Sequence, residues 1–316
     1  MKHIAKQSVK KILFVCTGNI FRSVTIELCL KEYLRANNIR GFHVSSAGII
    51  AKKEPMRQAL AVSLQTFGID PQRHIQRKVT AQMLAKSDIV ICMTKLQQRF
   101  LLERFGKNAQ LYFDVLSGSG NDLLDVDDIV PKLHSQRSIN SFVQKTVRFI
   151  YSQTPNFFRA IKDKYLLFTE FEAGRRLGID GLPYIQLAAS KKSIAFMSQD
   201  IPAKHPFHVL VIPKKLYTHL DDIPLDVQAD MMDLVRRIAK VSFMEADGYN
   251  ILVNSGLASG QIIYHAHIHI IPRVYNDGIR IELWKHRRAN KKLFVKMNRH
   301  LQKSLGKWQL SQRNKK

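Results

Sequence analysis

KILFVCTGNIFRS, Lys11 to Ser23, decides how the first half of the chain folds. Lys11–Val15 is a short apolar run of the kind that reads as a buried strand. Ile26, Cys29, Leu30, Tyr33 and Leu34 then recur at helical spacing, so a helix starts directly after the loop. A loop between a strand end and a helix start aims successive backbone N–H groups at one point, and the helix dipole adds positive potential there. An anion fits that point. Cys16 heads the loop, so its thiolate is stabilised by the same field. Gly18 permits the tight turn, Arg22 can grip two phosphate oxygens, and Ser23 can hydrogen-bond the sulfur.

Outward from this loop, short strands are expected at Phe42–Ser45, Asp88–Met93 and Gln110–Val115, with helical stretches between and after them, including Ile139–Tyr151. Strands alternating with helices predict an α/β domain, a doubly wound parallel sheet. Ser152-Gln-Thr-Pro155-Asn156 breaks the pattern, which sets a first domain at 1–152 and a linker at 153–165. A second domain is expected over 166–285 and a basic tail over 286–316. In the second domain Ser193–Ser198, Phe207–Ile212, Tyr249–Val253 and Ile262–Ile271 read as strands. Leu225–Met244 reads as a helix, with Pro224 at its start and Met231, Leu234, Val235 and Ile238 on its apolar face. That is an α+β unit, an antiparallel sheet with a helix on it.

Composition narrows the function classes. Three cysteines, Cys16, Cys29 and Cys92, contain no CxxC pair, which argues against a disulfide framework or a structural zinc site. Cys29 and Cys92 fall at core positions. No window has the length of apolar sequence that a membrane span needs, and ILFVC is too short for a secretion signal, so a cytoplasmic protein is expected. The 50 Lys and Arg against 25 Asp and Glu give a net charge of +25. Such an excess favours anionic partners. No acidic residue follows Glu282. The tail is therefore expected to be a solvated helix or a weak binder of nucleic acid or an anionic surface.

The segment VCTGNIFRS resembles the signature of the low-molecular-weight protein tyrosine phosphatases. The resemblance continues through Ser46-Ala47-Gly48, Gly68-Ile69-Asp70, His74 and Arg77 into the Asp88–Met93 strand, over about residues 10–151. It implies Cys16 as nucleophile through a phosphocysteine, with Arg22 catalytic and Thr17, Gly18, Asn19, Ile20, Phe21, Ser23 and Ser46 around the phosphate. It also implies an aspartate general acid from the segment Asp125–Val130, with Asp128 favoured by register and Asp127 its competitor. The chain departs from the family at Phe21, where a second cysteine is usual, at Val24 in place of proline, and at Ile129 and Val130 in place of Pro-aromatic. The last change bears on specificity for tyrosine phosphate.

Gln261-Ile-Ile-Tyr-His265-Ala-His267-Ile-His269-Ile-Ile-Pro-Arg273 carries three histidines at alternate positions. On a strand they would share one face, opposite Ala266, Ile268 and Ile270. Such a row can bind a metal, or one imidazole can be a nucleophile that its neighbours orient. No carboxylate or cysteine is adjacent, which disfavours a metal. Together with Asn254-Ser-Gly256-Leu-Ala-Ser-Gly260 and with His208, the pattern resembles the histidine-triad superfamily of nucleotide hydrolases and transferases, over about residues 190–273. The resemblance implies His267 as nucleophile on an α-phosphorus and His269 as server of the leaving group's proton. His208, Asn254, Gly260, Gln261 and His265 would be nucleotide- or phosphate-binding, with no metal and no cofactor. Ile262 stands where a small hydroxylic donor is frequent. A homodimer is implied.

The leading expectation is a bifunctional phosphate-ester hydrolase, acting on a phosphorylated protein or small phosphoester at one site and a nucleotide at the other. The competing readings are a processor of nucleic-acid 5′-adenylates, an arsenate-reductase-like first half, and a first half reduced to a binding module.

Overall fold

The computed structural model describes residues 9–52, 54–72, 74–129, 135–172, 185–202, 204, 207–242, 246–281 and 290–313. Residues up to Tyr275 form one compact unit and those from Asn276 a second. In chain order the elements are β1 (Lys10–Cys16), α1 (Arg22–Ala36), β2 (Phe42–Gly48), α2 (Gln58–Gln65), α3 (Ala81–Lys86), β3 (Ile89–Cys92), α4 (Lys95–Phe105), β4 (Gln110–Leu111), α5 (Tyr112–Leu116), α6 (Val126–Ile129) and α7 (Gln136–Ile161). After a π-helical turn at Lys162–Leu166 come α8 (Leu167–Glu172), β5 (Gln186–Ala189), β6 (Ser193–Met197), β7 (Val209–Pro213), α9 (Leu225–Ser242), β8 (Gly248–Leu252), β9 (Ile268–Arg273) and α10 (Lys291–Arg313).

The first sheet has the order β2-β1-β3-β4 with every pair parallel. The expected α/β architecture is therefore present, with apolar clusters on both faces of the sheet. The strand order reverses between β1 and β3, and ligands bind outside the carboxyl ends of strands at such a switch point. The Cys16 loop leaves the end of β1 at that place. The second sheet, β5-β6-β7-β9-β8, is antiparallel throughout. The apolar face of α9, with Met231, Leu234 and Val235, covers one side of it.

Three local expectations are corrected. Gln110–Val115 is a two-residue strand followed by a helix, because Asp114 Oδ2 accepts from the Leu111 N–H and caps a turn there. The break expected at Ser152–Asn156, and the linker after it, are helical. Pro155 sits inside α7, and Phe157, Phe158 and Ile161 carry the helix on across the first core. A mid-helix proline costs about 3 kcal/mol, which burial of three large apolar side chains exceeds. Third, β9 begins only at Ile268. The Tyr264 and Ala266 amides donate instead to the carbonyls of Lys164 (2.5 Å) and Tyr217 (2.7 Å).

The two sheets share buried surface. Tyr264 and Leu216 lie in the core cluster of the first sheet, and the Tyr165 and Tyr264 rings are 5.1 Å apart. Lys164 Nζ donates to the carbonyls of Asp114 (2.9 Å) and Val115 (2.8 Å) at the end of α5.

Candidate functional sites

The Cys16 loop is built around a left-handed residue. Asn19 has φ +57°, which a short polar side chain tolerates, and the turn brings its N–H to 3.2 Å from Cys16 Sγ. Its amide Nδ2 donates to Ser23 Oγ (3.1 Å) and Ser46 Oγ (2.7 Å). Ser46 in turn donates to Glu27, whose side chain is 2% exposed. A carboxylate only accepts, so every donor in this chain has a fixed direction. Ser23 receives from Asn19 and has its own O–H free for Cys16 Sγ, 2.9 Å away. The sulfur thus meets two donors, the Ser23 O–H and the Asn19 N–H.

The segment after α2 clamps the loop from outside. His74 Nε2–H donates to the Asn19 carbonyl (3.0 Å), the Arg77 N–H to Asn19 Oδ1 (3.0 Å), and Gln76 to the Gly18 carbonyl. Burial holds the His74 imidazole below its ordinary pKa, against the Asn19 carbonyl, which favours the cation. Beneath the loop, Gly48 leaves no room for a side chain: a Cβ there would lie 2.6 Å from the Thr17 carbonyl oxygen and 2.9 Å from the Asn19 nitrogen.

Arg22 is buried. Its Nη1 donates to the Leu123 carbonyl (2.8 Å), its Nη2 to Thr17 Oγ1 (3.3 Å) and to Asp125, and its Nε has no partner among the described residues. Asp128 is half exposed, and its Oδ2 lies 4.0 Å from Arg22 Nη1 while accepting from the Asp125 N–H at 2.7 Å. Asp128 therefore reaches the rim of the loop. The side chain of Asp127 and all of Val130 lie outside the described residues. Phe21 packs edge-on against Phe142 at 6.3 Å, as a core residue and not as a phosphate contact through its side chain. Cys29 and Cys92 are buried, and burial raises both thiols, Cys29 to about 12.

The second site is a cavity of about 410 Å³ on the antiparallel sheet, lined by His208, Asn254, Gly260, His267 and His269 together with Phe168 from α8. His267 Nδ1 lies 2.7 Å from the His265 carbonyl, which can only accept, so Nδ1 carries the proton and Nε2 keeps its lone pair. His208 is fixed in the same way by the Asp200 carbonyl at 2.5 Å, so in its neutral form Nε2 accepts from His269 Nδ1–H at 2.9 Å. The Phe168 ring stands edge-on to His267 at 5.5 Å. Burial first, and the neighbouring imidazoles second, push the His269 pKa down to about 3. Burial also lowers His267, against the His265 carbonyl, which favours the cation.

Two expected roles are corrected by this geometry. The His265 imidazole does not line the cavity. It is fully buried, bonds the Pro213 carbonyl (2.9 Å), and orients His267 through its backbone oxygen. Gln261 is also behind the wall. Its amide donates to the Thr218 and Ile263 carbonyls and accepts from the Gly256 N–H, so its side chain holds the loop. Glu27, Gln76, Asp125 and Phe168 were not singled out from the sequence as site residues. Single residues that reach a site from elsewhere in the chain have no distinctive local spacing.

Comparison with known proteins agrees with both halves. The family model for low molecular weight phosphotyrosine protein phosphatase matches residues 11–166, and that for the HIT domain matches residues 186–276. A HIT-like protein of Chlamydia pneumoniae is 33% identical over 96 residues, covering 29% of this chain and 86% of that one. The adenosine 5′-monophosphoramidase HNT1 of Saccharomyces cerevisiae is 38% identical over 92 residues, covering 29% of this chain and 56% of that one. Among solved structures, the YwlE arginine phosphatase from Geobacillus stearothermophilus is 21% identical with a TM-score of 0.41, covering 52% of this chain and 96% of that one. Five curated relatives are matched over only 36% to 66% of their own length. The chain is a fusion of a low molecular weight phosphotyrosine protein phosphatase domain with a histidine-triad domain, and it belongs to the HIT family. Both are families of hydrolases.

Proposed function

We propose that the chain is a bifunctional phosphate-ester hydrolase, with a phosphomonoesterase at Cys16 and a nucleotide phosphoramidate or dinucleotide hydrolase at His267. The observation that carries this reading is common to both sites. In each, buried acceptors that cannot donate fix the hydrogen-bond directions, so Cys16 Sγ receives a donor and His267 Nε2 is left with its lone pair.

In the first reaction the Cys16 thiolate attacks phosphorus, a P–S bond forms, and the ester P–O bond breaks. Asp128 delivers a proton to the leaving oxygen. Water then attacks the phosphocysteine, Asp128 takes its proton, and the P–S bond breaks to return thiolate and inorganic phosphate. Ser23 O–H stabilises the departing sulfur, while Arg22 and the loop amides hold the phosphoryl oxygens. In the second, His267 Nε2 attacks the α-phosphorus, the bond to the leaving amine or phosphate breaks, and water later releases a nucleoside monophosphate. The His265 carbonyl steadies the charge that develops on the His267 ring through Nδ1–H. His269 Nε2, with Nδ1–H held on His208, relays a proton from solvent to the leaving group in the first step and returns one to solvent when water attacks in the second, and Asn254 and Gly260 sit beside the phosphate.

Intact-mass measurement of the chain mixed briefly with an aryl phosphate, and separately with adenosine phosphoramidate, tests this. The expected adducts are phosphate on Cys16 and adenylate on His267. Adducts on other residues, or none in samples quenched by alkaline denaturation with turnover present, would sink it. A homodimer through the histidine-triad domain is part of the reading. It is supported by the groove of about 830 Å³ beside β8, the last strand of the sheet among the described residues, where Tyr249, Ile251 and Met232 are exposed.

A further inference from the structure

Helix α10, Lys291–Arg313, contains seven Lys and Arg and no Asp or Glu. At about 100° per residue, Met297, Leu301 and Leu305 form one stripe about 80° wide. Lys292, Lys296, Arg299 and Lys303 fall in a sector about 60° wide on the opposite side. The stripe is open to solvent: Met297 is 47%, Leu301 57% and Leu305 59% exposed. No helix among the described residues is long and apolar enough to cross a membrane. A helix of this length, about 35 Å, with cations and apolar side chains segregated to opposite faces suits the plane of a bilayer surface.

We propose that α10 is a surface anchor for anionic membranes. Met297, Leu301 and Leu305 enter the acyl boundary, and the Lys and Arg row meets anionic headgroups. Charge complementarity selects the occupant. A second copy of α10 would bring two rows of cations together with no carboxylate within the helix to pair with. Nucleic acid would neutralise the cations but leave the apolar stripe in water. An anionic lipid surface satisfies both faces at once, and each Lys or Arg near it strengthens attachment about fivefold.

The test is co-sedimentation of the full chain with vesicles of phosphatidylcholine alone and with equal parts phosphatidylcholine and phosphatidylglycerol. Three proteins are compared: wild type, Leu301→Glu, and the combined variant Lys292→Gln, Lys296→Gln, Arg299→Gln, Lys303→Gln. Hydrolysis of an aryl phosphate, unchanged in all three, confirms that the rest of the chain is folded. Wild type should bind only the anionic vesicles. The fourfold variant should lose attachment about a hundredfold or more. Leu301→Glu should lose it by at least tenfold. Three results would each overturn the proposal: no vesicle binding by wild type, vesicle binding that Leu301→Glu leaves intact, or a single-stranded oligonucleotide bound more tightly than the anionic vesicles.

Discussion

Gly48→Ala is the substitution that tests whether the cradle geometry, and not merely the presence of Cys16, makes the first site. A methyl group at residue 48 would lie 2.6 Å from the Thr17 carbonyl oxygen, about 0.8 Å inside the 3.4 Å at which ordinary contact begins. It would also press on the Asn19 nitrogen and the Gly18 carbonyl carbon, each at 2.9 Å. All three obstacles are backbone of the Cys16 loop, so no side chain can swing away. The end of β2 also accepts and donates hydrogen bonds with Arg77 and Val79, which holds it in place. The loop must therefore yield by a sizeable fraction of an ångström. Overpacking of this kind costs about 1–3 kcal/mol of stability. Misplacement of catalytic groups by about 1 Å costs on the order of a hundredfold in rate. The expected result is a kcat/KM for aryl phosphate down by about two orders of magnitude, with a lowered urea midpoint and little change in His267-dependent hydrolysis. A Gly48→Ala variant within twofold of wild type on aryl phosphate would refute the reasoning.

Glu27→Gln keeps the shape behind the loop but offers Ser46 a group that can donate, so the one-way chain to Cys16 is broken. Aryl-phosphate turnover should fall by about ten- to a hundredfold, from a lost charge-assisted hydrogen bond of about 1.5–3 kcal/mol, and unchanged turnover would show the chain to be incidental. The histidines set a pH dependence of stability. His265 and His269 are lowered from 6.5 to about 4 and about 3, chiefly by burial. The unfolded chain then holds more protons below pH 6.5, so stability is full above that value and is lost as pH falls through the window down to about 3. Urea midpoints should decline between pH 7 and pH 5, and a midpoint that rises on acidification would contradict this. Tyr264→Ala removes a fully buried ring that belongs to the first core while leading into the histidines, and should cost about 3–5 kcal/mol. Probes of both halves should move together in denaturant, and a shift confined to one half would show that the halves do not share this packing.

Much of this was legible in the sequence because it rests on local spacing. The apolar run into Cys16-Thr-Gly-Asn-Ile-Phe-Arg-Ser located the strand, the loop and the helix after it, and the structure places β1 and α1 there. The histidine row and the Asn254–Gly260 loop located the second cavity. What was not legible depends on contacts distant in sequence. Pro155 looked like a boundary, because a proline's own effect is to break a helix, and only packing of Phe157, Phe158 and Ile161 reverses it. Alternation placed three imidazoles on one strand face, whereas Lys164 and Tyr217 take the amides of Tyr264 and Ala266 and withdraw His265 behind the cavity wall. The pairing of Arg22 with Asp125 spans about a hundred residues and has no local signature.

The central claim is that one chain holds two independent phosphoryl chemistries, and a crossed assay tests it most directly. Wild type, Cys16→Ser and His267→Asn are each assayed on an aryl phosphate and on adenosine phosphoramidate. The prediction is that Cys16→Ser abolishes only aryl-phosphate hydrolysis and His267→Asn abolishes only phosphoramidate hydrolysis. Loss of both activities in either variant, or aryl-phosphate hydrolysis that follows His267, would contradict it.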